Sequence, residues 1–194
     1  KHWSHQKINT NFKGLVEGGK KEGNFFIIGD KNLTNAQELI IVEGYATGAS
    51  IHKATQKTVI VAVDSGNLKP VSQAIHQKYP KTTLLIAGDD DIQQELKGKT
   101  NAGKEKAIET ASLVSGHYTL PKFTQSEIKQ GMTDFNDLAQ LKGLKEVKRL
   151  IDGALKKAHT LEKHKQKEVM QQNQEQQKIH KREIARKNSV GISR

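Results

Sequence analysis

Three short apolar runs, separated by segments long enough for a helix, constrain the fold of this 194-residue chain more than any other feature. The runs are residues 39–43, 58–63 and 82–87. Helices are predicted after them at about 47–56, 69–79 and 101–115. Strands that alternate with helices in this way form βαβ units, in which the strands lie parallel in one sheet. The sequence therefore predicts an α/β fold with a mostly parallel sheet flanked by helices.

Further elements extend this pattern at both ends. Residues 24–29 form an aromatic and β-branched run ended by glycine, which predicts an edge strand, and 117–120 predicts another short strand. Thr133 or Asp134 is placed to cap a short helix over 135–141, and a last amphipathic helix is predicted from Leu144 to Leu155. Three regions are expected: a flexible N-terminal edge at 1–23, a catalytic α/β domain at 24–155, and an extension at 156–194.

The positive charge is concentrated in the C-terminal extension. The chain has a formal net charge of +11, and residues 156–194 contain 11 Lys or Arg against four Glu. This Lys-, Gln- and Glu-rich segment is expected to be a basic helix or disordered. It could be a solvated linker to another domain, a partner helix, or a nucleic-acid contact. The candidate nucleic-acid-binding residues are Lys163, Lys165, Lys167, Lys181, Arg182 and Arg186.

Composition excludes some classes of protein. There is no cysteine, which excludes disulfide frameworks and thiolate metal sites and fits a reducing cytoplasm. No apolar run approaches the roughly 18 residues of a membrane span, so no membrane partner is expected. The chain begins with lysine instead of methionine, and we expect it to be part of a longer polypeptide with other domains.

Acidic residues follow two of the apolar runs. Glu43 ends the first run, and Asp89 and Asp91 follow the third. Open α/β sheets bind ligands at the carboxyl ends of their strands, which makes these acids candidates for chemistry. Apolar walls can raise the pKa of Glu43 and suit it to general base catalysis, although it could instead cap the next helix. Asp89 and Asp91 suit Mg²⁺ or could form an acidic turn, whereas strand alternation is expected to turn Asp90 away.

Other residues are weaker candidates. Asp64 follows the second run and could support the site or cap the next helix. Asp134 and Asp137 are spaced to share one helix face and could add carboxylates. Gly44 and Gly48 frame the turn after Glu43, where they could approach a phosphate or form a plain tight turn.

Four ordered motifs resemble the Toprim domain of plasmid-conjugation and satellite-phage primases. They are Glu43-Gly44-Tyr45-Ala46-Thr47-Gly48, the 59–68 segment, Ala87-Gly88-Asp89-Asp90-Asp91 and Asp134-Phe135-Asn136-Asp137-Leu138. That family usually has alanine where this chain has Gly48. The resemblance implies general acid/base work for Glu43, metal binding by Asp89 and Asp91, and Mg²⁺ or Mn²⁺ as cofactor.

The expected function is magnesium-dependent nucleotidyl transfer, in the form of primer synthesis on single-stranded DNA during plasmid or mobile-element conjugation. Single-stranded DNA and nucleotides are then the expected partners. Two alternatives stay open at this point. One is a catalytically inactive Toprim scaffold or DNA-binding module within a relaxase, and the other is a Toprim nuclease or topoisomerase-like strand cleaver.

Overall fold

The computed structural model describes the backbone of residues 6–9, 12–15 and 22–190 and the side chains of residues 22–178. The strands are β1 (Gln6–Asn9), β2 (Phe12–Leu15), β3 (Phe26–Ile28), β4 (Glu38–Val42), β5 (Val59–Val61), β6 (Thr83–Ala87) and β7 (His117–Thr119). The helices are α1 (Tyr45–Thr55), α2 (Ser65–Lys78), α3 (Ile92–Leu96), α4 (Ala102–Leu113), α5 (Gln125–Lys129), α6 (Phe135–Lys142) and α7 (Leu144–Val190).

A five-stranded sheet forms the centre of the fold, in the order β3-β5-β4-β6-β7. β4 pairs in parallel with both β5 and β6, and β6 pairs in parallel with β7. Only β3, at one edge of this sheet, runs antiparallel to its neighbour β5. The predicted α/β fold with a mostly parallel sheet is therefore confirmed.

Each face of the sheet is covered by helices through its own apolar cluster. On one face, α2 and α4 pack through residues such as Val71, Ala107 and Ala111. On the other face, α1, α6 and the start of α7 pack through residues such as Ile51 and Phe135. The side chains of β4 alternate between the two clusters, and both sets are fully buried. This double burial explains why the strands read as continuous apolar runs.

The structure adds elements that the sequence pattern did not predict. β1 and β2 pair as an antiparallel hairpin within 1–23, where no regular structure was expected. α3 and α5 are only five residues each, too short to show a helical period. α2 begins at Ser65 instead of about 69, because Asp64 caps it, and Pro70 lies within its first turns.

α7 runs from Leu144 to Val190, so it includes the helix predicted at 144–155 and most of the 156–194 extension, for which a helix was one of the two expected states. By its contacts the chain divides into a unit of residues 1–158 and a second unit of residues 159–194. Within the second unit the described side chains are mostly exposed, among them Leu161, Val169 and Met170. No described helix combines the length and apolar content that crossing a bilayer requires.

Gly48 lies inside α1 and not in the turn, so the prediction that it frames a phosphate loop is wrong for this residue. Gly48 is buried, and a Cβ atom at this position would lie 2.9 Å from Val61 Cγ2 and 3.1 Å from Val42 Cγ2. These distances are shorter than ordinary van der Waals contact, so the absence of a side chain lets α1 approach β4 and β5 closely. Gly48 therefore has a packing role.

Gly48→Ala is expected to destabilise the protein. Overpacking a core costs about 1–3 kcal/mol, which exceeds the gain of up to about 1 kcal/mol from replacing glycine in a helix. The measurement is the free energy of unfolding by chemical denaturation. Gly153→Ala is the matched control, because Gly153 also lies within a helix but has no atom within 4 Å of a built Cβ. It should stabilise the protein slightly.

The clash itself is tested by adding Val61→Ala to Gly48→Ala. The double variant should lose less stability than the two single variants predict together, because Val61 Cγ2 is the atom nearest the new methyl group. If the two losses simply add, Gly48 and Val61 are not coupled and the packing explanation fails.

Candidate functional site

The three central strands end at the same level, and this brings their loops together at one edge of the sheet. Val42, the last residue of β4, is in register with Val61 of β5 and Ala87 of β6. The amide of Ala62 continues the ladder by donating to the Val42 carbonyl at 2.8 Å. Glu43 is one residue past this level, and Asp89 is two residues past it. The predicted acids therefore meet at the carboxyl edge.

The half-buried carboxyl group of Glu43 has a pKa raised above its ordinary value. Burial is the largest cause, and the negative charges of Asp64 and Asp91 raise the pKa further. The three carboxylates come from three different loops, and two of them act on Glu43. Gly44 is the N-cap residue of α1 and no side chain caps that helix, so the capping alternative for Glu43 is wrong. Gly44 itself has an extended backbone, with φ −106°.

Lys106 provides the positive charge that opposes this rise in pKa. Its charge is the main influence lowering the pKa of Glu43, followed by the hydrogen bond that the Ser65 amide donates to the Glu43 carboxylate. Lys106 Nζ also donates to Ser65 Oγ at 2.7 Å. Lys106 on α4 and Ser65 on α2 therefore lie beside Glu43, although neither was predicted as a site residue. Their role depends on contacts distant in sequence, which no local pattern reveals.

Asn101 organises the loop that contains the three aspartates. It is 4% exposed and caps α4 by accepting from the Lys104 amide. Its Oδ1 also accepts from the Asp91 amide at 2.9 Å, and its Nδ2 donates to Asp90 Oδ1 at 2.7 Å. β6 ends at Ala87, so strand alternation does not extend to Asp90, and the expectation that Asp90 takes no part in the site stays a prediction. An asparagine directly before a helix is a capping signal that could have identified Asn101.

A glycine brings the start of α4 against the same loop. The amide of Gly103 donates to Asp91 Oδ2 at 3.1 Å, which orients one of the predicted metal ligands. A Cβ atom on Gly103 would lie 2.6 Å from the Asp89 carbonyl oxygen, so only glycine fits this approach. Asp89 is half-buried, and its Oδ1 atom is fully covered.

Asp64 caps α2 and also contributes charge near Glu43. Its carboxylate accepts from the Asn67 amide at 3.1 Å, which is the structural role the sequence allowed. The preceding Val63 has φ +80°, a conformation that costs a β-branched residue about 1–3 kcal/mol. Asn67, buried at 1% exposure, holds this turn by donating to the Ala62 carbonyl at 2.7 Å. Asn67 was not predicted either.

Asp134 and Asp137 form a capping box at the start of α6. Asp134 accepts from the Asp137 amide at 2.7 Å, and Asp137 accepts from the Thr133 amide at 2.8 Å. Asp134 Oδ2 also accepts from Thr47 Oγ1 of α1 at 2.9 Å. The Asp90 amide donates to the Thr133 carbonyl at 2.8 Å, which joins this turn to the aspartate loop. Asp134 precedes the helix, so the two acids do not share a helical face as predicted.

The donor set fits a divalent cation that substrate helps to hold. Within residues 22–178, no group of three or more His, Asp or Glu side chains is close enough to hold a metal alone. Mg²⁺ is often bound by only one or two carboxylates, with waters and substrate phosphates as its other ligands. Asp89 and Asp91, at the edge of the sheet beside Glu43, are of that kind. Oxygen donors without nitrogen or sulfur also match Mg²⁺ or Mn²⁺.

The predicted tail residues are only partly described. Lys163, Lys165 and Lys167 are exposed on α7. The side chains of Lys181, Arg182 and Arg186 lie outside the described part of the chain, although the α7 backbone includes these positions. Nucleic-acid binding by these residues stays a prediction.

Comparison with known proteins gives a family match over the same region. Residues 38–145 match a family described as Toprim domain. Two Escherichia coli proteins, each named DNA primase TraC, are 39% identical to this chain over 129 residues. The alignment covers 66% of this chain but only 12% and 9% of the two relatives, so the chain spans a small part of their length. No solved structure matches the chain significantly.

Glu43→Gln is expected to stabilise the folded protein at neutral pH. Folding raises the pKa of Glu43, so the folded state binds the proton of its carboxyl group more tightly than the unfolded state does. The free energy of unfolding therefore falls as the pH rises from the pKa of Glu43 in the unfolded chain to its pKa in the folded protein. Glutamine removes the buried charge and keeps an oxygen for the Ser65 amide. The melting temperature should therefore rise at pH 7, with little change below the unfolded pKa.

The control for this experiment is Glu105→Gln, which changes an exposed glutamate on α4. Unlike Glu43→Gln, it should not raise the melting temperature at pH 7 relative to low pH. Equal effects of the two substitutions at pH 7 and at low pH would show that Glu43 has no special electrostatic environment.

Asn101→Ala is expected to cost about 2 kcal/mol, because it removes a helix cap and leaves buried hydrogen-bonding groups without partners. Amide hydrogen exchange in residues 89–91 should also accelerate. Thr124→Ala is the control, since Thr124 caps only the short helix α5. If both variants lose the same stability and exchange at 89–91 is unchanged, Asn101 does not hold the aspartate loop.

Proposed function

The chain belongs to the Toprim domain family, and on that premise we propose that it is the nucleotidyl-transfer domain of a DNA primase. Its reaction would be primer synthesis on single-stranded DNA, during the transfer of a plasmid or another mobile element. The observation that carries this proposal is the meeting of Glu43, Asp64 and Asp91 at one edge of the sheet, with the pKa of Glu43 raised. The similarity to proteins named DNA primase supports it.

Glu43 would act as the general base. Primer extension needs a group that removes the proton from the attacking 3′-hydroxyl, and a base is most effective when its pKa approaches the working pH. Burial and two neighbouring carboxylates shift the pKa of Glu43 in that direction. The preceding β4 residues are fully buried, so they hold the carboxyl group in a fixed position.

Asp89 and Asp91 would hold Mg²⁺ or Mn²⁺. Toprim domains generally bind divalent metal, and a bound ion would stabilise the charge that develops on the phosphate oxygens during transfer. The protein's own contribution is to fix the two carboxylates in place. Asp91 is held by the Gly103 and Asn101 hydrogen bonds, so it can bind without first becoming ordered.

Lys106 would orient a phosphate group of the substrate. This group would lie on one side of Glu43, and the α1 helix lies on the other. Lys106 is the cation with the strongest influence on Glu43, and its ammonium group is already held by Ser65. A lysine is a point-charge donor for phosphate oxygens. Asp64, Asp134 and Asp137 would be positioning residues, since each caps a helix at the edge of the site.

The exposed lysines of α7 would add affinity that does not depend on DNA sequence. Lys163, Lys165 and Lys167 are exposed to solvent, as phosphate contacts must be. Such contacts weaken steeply with salt, because binding releases counterions from the nucleic acid. Other domains of a longer polypeptide are proposed to complete the enzyme, since this chain matches only 12% and 9% of its two relatives.

A non-catalytic scaffold is the second candidate. Among residues 22–178, no cluster of three ligands could hold a metal without substrate. A non-catalytic scaffold is therefore favoured over an enzyme that binds its metal before its substrate. Metal binding in the presence of nucleotide separates the two candidates, because only the enzyme requires it.

The proposed function is tested by Mn²⁺-induced broadening of amide resonances, followed by a primer-synthesis assay on single-stranded DNA. Broadening should be localised around Glu43 and Asp89 and should be lost in Asp89→Asn/Asp91→Asn. Glu43→Gln should reduce the rate of primer synthesis by about 10²- to 10⁴-fold, which is the usual contribution of a general base. In this variant Mn²⁺ should still broaden the amide resonances of the loop that contains Asp89.

Asp30→Asn is the control for the metal experiment, because Asp30 lies in the loop after β3 and is not among the charged groups that act on Glu43. It should leave the broadening unchanged. If Mn²⁺ at millimolar concentration with DNA and nucleotide present does not broaden these amides, the enzyme hypothesis is rejected in favour of the scaffold.

A further inference from the structure

One aromatic side chain is exposed beside the acidic residues. Tyr45 is the first residue of α1 and follows Glu43 by two positions. It is 51% exposed, and in the part of the chain with described side chains it makes no hydrogen bond or ring contact. Gly44 before it and the exposed Ala46 after it add no bulk. Its ring is therefore open to a ligand at the edge of the sheet.

The position of Tyr45 distinguishes it from the other described aromatic residues. Phe135 is buried, and Phe25, Tyr79 and Phe123 pack against the two apolar clusters. Phe26 and Tyr118 are also exposed, but they lie on β3 and β7, the outer strands of the sheet. Tyr45 alone among the described aromatics follows the central strand β4 directly.

Tyr45 lies at the end of α1 that is nearest Glu43. Side chains in an α-helix lean towards its N-terminus, so a residue in the first position extends over the preceding turn. For Tyr45 that turn is Gly44, which connects α1 to Glu43. The hydrogen bond from Thr47 to Asp134 and the close packing of Gly48 on β5 fix the first turn of the helix. The ring is thus carried by a rigid element.

We propose that the Tyr45 ring is a stacking platform for a nucleobase of the strand or nucleotide that enters the site. This proposal rests on the proposed nucleotidyl-transfer function and names the part of the substrate that Tyr45 would contact. The carboxylates around Glu43 repel phosphate in the absence of a cation, whereas a base has an uncharged π-face that a tyrosine ring can cover. Lys106 lies on α4, on the other face of the sheet from α1, so phosphate and base would be held on opposite sides of Glu43.

The test compares two labelled oligodeoxynucleotides of the same length, oligothymidylate and an abasic strand, binding to the full chain with Mg²⁺ present. Fluorescence anisotropy gives the dissociation constant for each strand. The wild-type protein should prefer the strand with bases. Tyr45→Ala should weaken binding of oligothymidylate by about tenfold, within the range of single-base stacking, and leave abasic binding unchanged.

Two further variants distinguish stacking from other roles of the residue. Tyr45→Phe should keep the base preference, because the ring remains. Tyr118→Ala is the matched control, since Tyr118 is 47% exposed but lies two strands away from β4. It should bind both strands like the wild type. When 2-aminopurine replaces a base of the oligonucleotide, the wild type, Tyr45→Phe and Tyr118→Ala should quench its fluorescence and Tyr45→Ala should not. The melting temperature of Tyr45→Ala should not change, because the side chain is exposed.

The proposal is overturned if the wild-type protein binds the two strands equally or binds neither, or if Tyr45→Ala keeps the base preference. Equal losses in Tyr45→Ala and Tyr118→Ala would also overturn it. Failure of the proposed catalysis gives a different result: the protein would make no primers and yet retain a base preference that depends on Tyr45.

Discussion

The common level at which β4, β5 and β6 end is the constraint on which the rest of the site depends. The registered positions Val42, Val61 and Ala87 set three loops side by side, and each loop begins with or contains an acid. Carboxylates so placed repel one another and lose solvation, as the raised pKa of Glu43 indicates. The neighbouring Lys106 charge and the Ser65 amide offset part of this cost. A shift of one residue in either pairing would exchange the side chains that pack into the two apolar clusters and would move the acids out of line, so the register and the site are fixed together.

Two buried asparagines hold the loops that the register brings together. Asn101 holds the turn after β6 with both ends of its amide group. Asn67 holds the turn after β5 by donating from Nδ2 to the Ala62 carbonyl, and its Oδ1 accepts from the Gly23 amide. An amide can donate and accept at once and adds no charge, whereas another carboxylate or lysine there would change the electrostatic balance around Glu43. The two loops are therefore ordered in part by neutral groups, which add no further charge beside Glu43.

The sequence predicts the parts of this structure that depend on local pattern. Apolar runs identified β4, β5 and β6, and their position before acids identified Glu43, Asp89 and Asp91 as residues of one edge. Contacts between distant segments could not be predicted in this way. Gly48 reads as a turn residue until β5 is placed against it, and Lys106 gives no signal until α4 is packed beside α2. Strand alternation could not place the side chains of Asp89, Asp90 and Asp91, because β6 ends at Ala87, before these residues.

The placement of the helices gives the two sides of the site different chemistry. α2 and α4 cover one face of the sheet and bring Ser65 and Lys106 to the edge, while α1 and α6 cover the other and bring Tyr45 and Thr47. One side therefore presents a cation and hydrogen-bond donors, and the other presents an exposed aromatic ring. A nucleotide has the same division, with a charged phosphate at one end and a flat base at the other. Because the acids lie between the two sides, a nucleotide bound in this orientation would place its phosphate beside Lys106, its base beside Tyr45 and its sugar next to the carboxylates.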